Sequence, residues 1–220
     1  MCIRDRFEGQ LHSGKLCQAL LQLVQSMGVT ILNGVDVEGF ENVNGRVSLQ
    51  ANLPHRITTS RLLICTNAFA KKLLADIDLE PARGQVLLTS PIAGLSLKGT
   101  YHFDEGYYYF RNLGRRVLLG GARNKDFAAE QTTEMQISET IQQELERFLQ
   151  TNILPAKTYT IEQRWSGIMA IGSEKKPVVR QVDENVFCAV RMSGMGVAIS
   201  PEVGKRVAAL LLGSPERDTA

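Results

Sequence analysis

The chain has 220 residues, 44% of them hydrophobic, enough for one large domain or two small ones with a real core. Its 25 Lys and Arg against 23 Asp and Glu leave a formal net charge of +2 with no concentrated basic run, which argues against a nucleic-acid binder. No apolar run approaches the ~20 residues of a membrane span, and the opening "MCIRDRFEGQ" has no apolar stretch behind its charges, so neither a spanning helix nor a signal peptide is expected.

That opening does not read as a native start. It resembles the spurious leader of a fragmentary gene, and Met1–Arg6 is set aside from fold reasoning. Cys2, Cys17, Cys65 and Cys188 are scattered without a C-x-x-C pair, which fits reduced, mostly buried thiols in a cytoplasmic protein. His12, His55 and His102 are equally dispersed, against a metal cluster. The Lys-Lys pairs at 71–72 and 175–176 read as solvated edges.

"SGKLCQALLQLVQSMG" is the first predicted helix. Leu16, Ala19, Leu20, Leu23, Val24 and Met27 share a face, Ser13 is placed to cap the start, and Gly28 to end it. Strand-like pieces follow: "VTIL", "VDVEGF", and "RVSLQA" after the turn "NVNG". "SRLLICTNAFAKKLLA" is a buried strand passing into a helix at Asn67, where the Leu/Ile/Cys run gives way to helical spacing at Ala70, Leu73 and Leu74. From Gly84 the texture changes to short β-branched or aromatic segments broken by Gly and Asn, the pattern of an antiparallel sheet. Within it "GYYYFRNLGRRVLLGG" is a hairpin turning at Asn112–Gly114. A second helix is expected near Thr133–Gln150, with Ile137, Ile141, Leu145 and Phe148 on one face, and "KTYTIEQRWSGIM" returns as a strand.

The C-terminal stretch is strand, Gly-rich turn, helix. "ENVFCAV" is the strand, "RMSGMG" the turn, and Val197, Val203, Val207, Ala208 and Leu211 recur at helical spacing. A dinucleotide fingerprint fails because Ile199 stands at the third glycine position. A nucleophile elbow on Ser193 fails because Arg191 and Met195 replace its glycines and no His follows His102. What remains is a turn that either aims backbone N–H groups and a helix N-terminus at a negative ligand or only packs the helix on a sheet.

Taken together, "EGQLHSGKLCQALLQLVQSMGVTIL", "RLLICTNAFA", "PARGQVLLTSP", "GYYYFRNLGRRVLLGGARN", "RWSGIMAIGSEKKPVV" and "VRMSGMGVAISPEVGKRVAALL" resemble, in order and spacing, the D-amino-acid oxidase superfamily of FAD-dependent amine and amino-acid oxidoreductases, over residues 7–213. The resemblance implies an α+β fold: the remnant of an α/β-type cofactor domain (7–83 and 165–213) around an antiparallel substrate sheet with flanking helices (84–164). It also implies that the family's N-terminal βαβ unit, which cradles the FAD pyrophosphate, is missing, so that the chain is a C-terminal fragment, inactive alone. Its partners are then that missing segment and a small-molecule amine or amino acid.

By the same resemblance the turn Ser193, Gly194, Met195, Gly196 and Val197 faces the pyrimidine edge of the flavin, where backbone N–H groups stabilise the charge of the reduced form. Val37 matches the adenine-pairing position, and Thr66, Asn67 and Ala68 the second cofactor turn. Tyr107 and Tyr108, with Tyr109 beside them, are substrate-side candidates. The family's carboxylate-holding Arg falls on Met169 here, which leaves Arg123 and Arg191, and after them Arg111, as candidates for that task. The sarcosine-oxidase branch binds flavin through a Cys after the "WSG" strand; "GIMAIGSEKKP" has none, so FAD is expected to be non-covalent. No residue is singled out as catalytic. The competing reading is a non-catalytic binding module that keeps the fold without the cofactor.

Overall fold

The computed structural model describes residues 9–213; Cys2 and the suspect leader lie outside the described residues. In chain order the elements are α1 (Ser13–Ser26), β1 (Val37–Val43), β2 (Arg46–Ala51), β3 (Ile57–Thr59), β4 (Leu62–Ile64), a 3-10 helix (Asn67–Lys72), β5 (Glu80–Thr89), β6 (Thr100–Phe103), β7 (Tyr108–Leu113), β8 (Arg116–Gly121), a 3-10 turn (Arg123–Lys125), α2 (Glu139–Phe148) continuing into a π-helical turn (Leu149–Ile153), β9 (Ile161–Ile171), β10 (Val178–Asp183), β11 (Val186–Val190) and α3 (Gly196–Leu212). The class is α+β. The described chain forms two compact units, one of residues 9–11 and 82–168, the other of residues 12–81 and 169–213. Among the described residues no helix is long and apolar enough to cross a membrane, and no group of three or more His, Cys, Asp or Glu side chains is placed to hold a metal ion.

The first unit is a five-stranded sheet in the order β6-β7-β8-β5-β9 with α2 on one face. Alternation sorts the side chains: Tyr108, Phe110, Val117, Leu119 and Leu87 turn toward Ile141, Leu145 and Phe148 of α2. Phe148 stacks on Tyr108 at 4.3 Å and tilts against Phe103 at 5.0 Å. Each fully buried side chain of this size contributes roughly 1.5–3 kcal/mol, so this patch is a large source of the unit's cohesion.

The β7–β8 turn is tighter and later than expected. Leu113 pairs with Arg116, leaving Gly114–Arg115 as a two-residue loop with Gly114 at φ 61°. Asn112 stays in the ladder opposite Val117, and its Oδ1 accepts the Gly99 N–H at 3.0 Å. α2 also starts later, at Glu139 behind the cap residue Ser138, rather than near Thr133. Ser138 Oγ accepts the Ile141 N–H (3.4 Å), and the Ser138 N–H donates to Gln85 Oε1 (3.0 Å). Ile137 is therefore outside the helix and 47% exposed.

Below that cap lies a buried polar network. Arg83 Nε and Nη2 donate to Glu130 Oε2 and Oε1 at 3.0 and 2.7 Å. Gln85 Nε2 donates to the same carboxylate and to Ser138 Oγ, and Gln142 Nε2 donates to Gln85 Oε1. Glu130 and Gln85 are 0% exposed and Arg83 6%, so the pair is fully desolvated and every charge is answered.

The second unit holds two three-stranded sheets, β1-β2-β3 and β10-β11-β4, the latter with β11 parallel to β4 and antiparallel to β10. The β1–β2 turn is Asn44–Gly45, with φ of 52° and 73°, the two left-handed residues a two-residue hairpin favours. All five residues of β11 are buried, and on one side Ala189 packs on Val203 and Val207 of α3. Val197 and Ala208, expected on the same helix face, are exposed. The six-residue 3-10 helix at Asn67 replaces the longer helix expected there.

α1 forms with Gly28 at φ 84° just past its end, but its cap is His12, whose Nδ1 accepts the Lys15 N–H at 3.4 Å; Ser13 is already helical. The helix has no buried residue: Leu20, Leu23 and Met27 are 49%, 54% and 73% exposed. "VTIL" forms no strand, because residues 29–32 find no ladder partner among the described residues. Among the described residues Cys17 and Cys65 are exposed and Cys188 is buried, against the expectation of mostly buried thiols.

Removing one partner of the buried ion pair leaves the other uncompensated, so Glu130→Ala should destabilise the chain by roughly 3–5 kcal/mol. The double change Arg83→Met with Glu130→Leu should recover much of that loss. Urea unfolding of the three proteins checks the order; equal stability of wild type and Glu130→Ala would refute it.

Candidate functional site

β11 ends at Val190 and the backbone then passes through three left-handed residues, Arg191 (φ 64°), Ser193 (φ 49°) and Gly194 (φ 80°). The Ser193 N–H is taken by the Ala170 carbonyl (3.0 Å) and the Met195 N–H by the Met192 carbonyl (2.8 Å). Ala198 and Ile199 both donate to the Met195 carbonyl, which closes the first turn of α3. No side chain caps that helix. The N–H groups of Gly194, Gly196 and Val197 therefore have no acceptor among the described residues. Ser193 Oγ is buried and likewise without a partner. Met195 and Val197 are 41% and 49% exposed beside them. The arrangement offers hydrogen-bond donors and the positive end of a helix to an acceptor that the described chain does not contain.

Asn67 binds this turn to the other expected cofactor turn. Its Oδ1 accepts the N–H groups of Arg191 (3.0 Å) and Met192 (3.2 Å). Thr66 is exposed and leads into the 3-10 helix, and Ala68 is buried beneath it. Val37 lies on the other sheet, opposite Ala51. Lys72 Nζ, on the 3-10 helix, reaches Asp36 Oδ2 at 2.9 Å, which ties the start of β1 to that helix.

Arg191 is not free to meet a ligand. It is 7% exposed, and its Nε donates to the Lys176 carbonyl at 2.8 Å. Its Nη1 donates to the Asp78 carbonyl at 3.0 Å and to Asp78 Oδ2. Asp78 also receives the Ser173 hydroxyl (2.5 Å) and N–H (3.3 Å). Gly172 is what lets the chain pass so close: a Cβ there would lie 2.5 Å from Arg191 Cδ and 2.9 Å from the Asp78 carbonyl. The guanidinium is a clamp on three chain segments, its donors engaged inside the protein.

Tyr108 is engaged within the protein as well. It is 3% exposed, faces α2, and donates its hydroxyl to Glu144 at 2.5 Å; burial first, and then that bond, push its pKa up. Tyr109 points to the opposite face, its ring lying across Gly120, where a Cβ would meet it at 2.6 Å. Burial raises the Tyr109 hydroxyl as well. Tyr107, 37% exposed, meets Phe127 edge-on at 6.0 Å, and the Arg123 guanidinium lies 4.6 Å over the same ring. Arg111 donates to the Leu11 carbonyl at 2.5 Å. Met169 Sδ sits 3.5 Å from where a Gly194 side chain would begin. Sequence reasoning missed Asp78 and Gly172 altogether, and no local pattern marks them.

The Asp78 carboxyl is held below its ordinary value, first by the Ser173 hydrogen bonds and then by Arg191. A depressed carboxylate contributes stability that is fully present above the unfolded value of ~3.9 and lost as pH falls through the lower folded value. Asp78→Asn should thus be less stable than wild type near neutrality, and the gap should close as pH falls below ~3.9. Urea midpoints measured across that range test it; a gap that widens on acidification would contradict the sign.

A protein-family model described as DAO, FAD dependent oxidoreductase, matches residues 2–210. The bifunctional protein ThiO/ThiG of Synechocystis sp. is 24% identical over 211 residues, which cover 93% of this chain and 31% of that protein. Among solved structures the chain is similar to L-proline dehydrogenase from P. horikoshii, with TM-score 0.76 and 20% identity over 92% of this chain and 56% of that one. It is also similar to glycine oxidase from Geobacillus kaustophilus, with TM-score 0.77 and 18% identity over 92% of this chain and 54% of that one. The chain thus spans 54–56% of those two structures and 31% of the curated relative. With the family match running over nearly the whole of its length, the chain belongs to the DAO family of FAD-dependent oxidoreductases.

Proposed function

We propose that the chain is part of an FAD-dependent oxidoreductase that oxidises the C–N bond of an amine or amino acid, with residues 12–81 and 169–213 on the cofactor side and residues 82–168 on the substrate side. The observation that carries this reading is the turn at Ser193–Val197, whose Gly194, Gly196 and Val197 N–H groups and Ser193 Oγ lack partners among the described residues. An orphaned buried hydroxyl and unpaired donors at an uncapped helix start fit the pyrimidine edge of a flavin, where carbonyl and ring nitrogen are acceptors. The chemistry FAD supplies when bound is acceptance of a hydride from the carbon next to nitrogen.

Each side of the turn has its own part in this. Gly194, Gly196 and Val197 donate to the cofactor edge and favour negative charge there, as does the start of α3. Asn67 and the Arg191 clamp hold those donors in place before the cofactor arrives, so no ordering is needed on binding. Thr66 and Ala68 border the same place, and Val37 offers backbone groups to the adenine. Residues 167–177 hold no Cys, so the flavin is held without a covalent link. The uncovered apolar face of α1 and residues 29–32, which find no ladder partner among the described residues, support a further element of the reading, that a βαβ segment outside the described residues packs there and cradles the pyrophosphate.

The test uses the protein joined to such a segment, with Gly196→Val as its variant. A Cβ at Gly196 would meet only Met192, at ordinary contact distance of 3.5 Å, and the residue is helical, so neither a Cβ clash nor a left-handed backbone opposes the substitution. The wild type should be yellow, release its flavin on acid denaturation, and bind FAD in fluorescence titration. The variant should keep its melting temperature but bind FAD more weakly or show a lower flavin potential, since one charge-assisted hydrogen bond is worth roughly 1.5–3 kcal/mol. Colourless wild-type protein would favour the cofactor-free binding module. A variant with unchanged affinity and potential but lowered melting temperature would make the turn structural only.

A further inference from the structure

Asp78 stands between two buried side chains, Ile77 and Leu79, and the Leu79 N–H donates back to the Ile77 carbonyl at 2.8 Å. That is a γ-turn centred on Asp78, and it fixes the main chain there. Two oxygens of the residue then meet one guanidinium: its carbonyl accepts Arg191 Nη1 at 3.0 Å, and so does Oδ2. The carboxylate is aimed by Ser173, whose N–H donates to Oδ1 (3.3 Å) and whose hydroxyl donates to Oδ2 (2.5 Å). The Asp78 side chain is itself 54% exposed, so replacing it removes these bonds and little packing.

The other end of the clamp is a backbone that glycine would adopt more readily than arginine. Arg191 lies at φ 64°, and Asn67, whose Oδ1 accepts the Arg191 and Met192 N–H groups, lies at φ 46°. Neither position carries a glycine, and at both it is the side chain that makes the connection. Beyond them the Ser193 N–H is held by the Ala170 carbonyl, and the next donors of the turn are open. Asp78 is thus joined to the open donors by a continuous set of bonds that begins in buried chain at residues 77–79 and passes through one guanidinium.

We infer that Asp78 is a positioning residue for the cofactor edge: through Arg191 it fixes the direction of the Gly194, Gly196 and Val197 N–H groups, without touching cofactor or substrate itself. The inference rests on the proposed oxidoreductase reading for what those donors meet; the ordering of the turn by Asp78 concerns this chain alone. Donors already fixed when charge develops stabilise it more than donors that must first be ordered, so a loosened turn holds the reduced flavin less well.

The test is read once without cofactor and once with it. In the chain alone, amide hydrogen exchange followed by NMR at Ser193 and Met195, whose N–H groups bond the Ala170 and Met192 carbonyls, reports the order of the turn. Asp78→Ala should speed exchange at both about tenfold, while the amides of β10 and β11 keep their rates. Asp78→Asn keeps an acceptor oxygen and should fall between Asp78→Ala and wild type. Arg191→Gly accepts the left-handed backbone without the side chain and should speed exchange at least as much as Asp78→Ala. The double variant should be no faster than Arg191→Gly, because both changes cut one linkage. With the βαβ segment joined, Asp78→Ala should bind FAD about tenfold more weakly in fluorescence titration and show a lower flavin potential, with Asp78→Asn again between. Unchanged exchange at Ser193 and Met195, an equal rise throughout the β10-β11-β4 sheet, or additive effects in the double variant would each overturn the positioning role. Faster exchange with unchanged FAD affinity and potential would overturn its bearing on the cofactor. Because exchange is read without cofactor, a wild type that fails to bind FAD counts against the oxidoreductase reading, and a failed exchange result counts against Asp78.

Discussion

The Arg191 clamp is the constraint on which the candidate cofactor side depends. A left-handed φ at a non-glycine residue is unfavourable by roughly 1–2 kcal/mol, and here Arg191 and Ser193 both adopt it within three positions. Such a backbone persists only where its surroundings over-determine it. The surroundings are the carbonyls of Lys176 and Asp78, the Asp78 carboxylate, and Asn67 Oδ1 on the neighbouring main chain. With those bonds made, the N–H groups of Gly194, Gly196 and Val197 are left without an acceptor among the described residues. The open donors of Gly194, Gly196 and Val197 are thus a product of the clamp more than of the glycines.

The two units solve burial in different ways. In residues 82–168 an aromatic and aliphatic patch under α2 sits beside a fully answered polar network, and the network sets where α2 begins. A desolvated pair such as Arg83–Glu130 adds little net stability over apolar packing, but it punishes any arrangement that separates its members. In residues 12–81 and 169–213 the well-buried part is β11 with α3, while α1 shows its apolar stripe to solvent. Tyr107, Arg123 and Phe127 form a third kind of place, an aromatic-lined cation with no ion pair among the described residues.

Much of this was legible in the sequence where the signal is local. Alternation and helical spacing located α1, the β7–β8 hairpin, β9, β11 and α3, and the glycine past α1 marks its end as expected. The β7–β8 turn shifted because Asn112 has a use inside the ladder that no dipeptide rule contains. The start of α2 shifted because Ser138 answers Gln85, a partner far off in sequence. Which way Tyr108 and Tyr109 turn, and that the Arg191 guanidinium bonds Lys176 and Asp78, no local pattern shows, because alternation reads alike from either side of a sheet. Only the register, Tyr108 toward α2 and Tyr109 across Gly120, separates them. "VTIL" has the composition of a strand without a described neighbour to make it one.

The insertion of residues 82–168 also bears on how the chain assembles in time. β4 is the edge of its sheet and its described neighbour is β11, which leaves the ribosome only after the whole insert. At ~5–20 residues per second the wait is on the order of ten seconds. The insert needs no such wait, since β5 through β9 pair among themselves. Its closure also shortens the later search. Ser90, just past β5, bonds Thr160, just before β9, so the two strands run antiparallel and the start of β5 lies beside the end of β9. Once they pair, the loop separating β4 from β11 contracts from the full insert to its two short flanks, and loop-closure entropy falls with it. Damage to the packing under β7 and β8 would then slow formation of the β10-β11-β4 sheet without touching any of its residues.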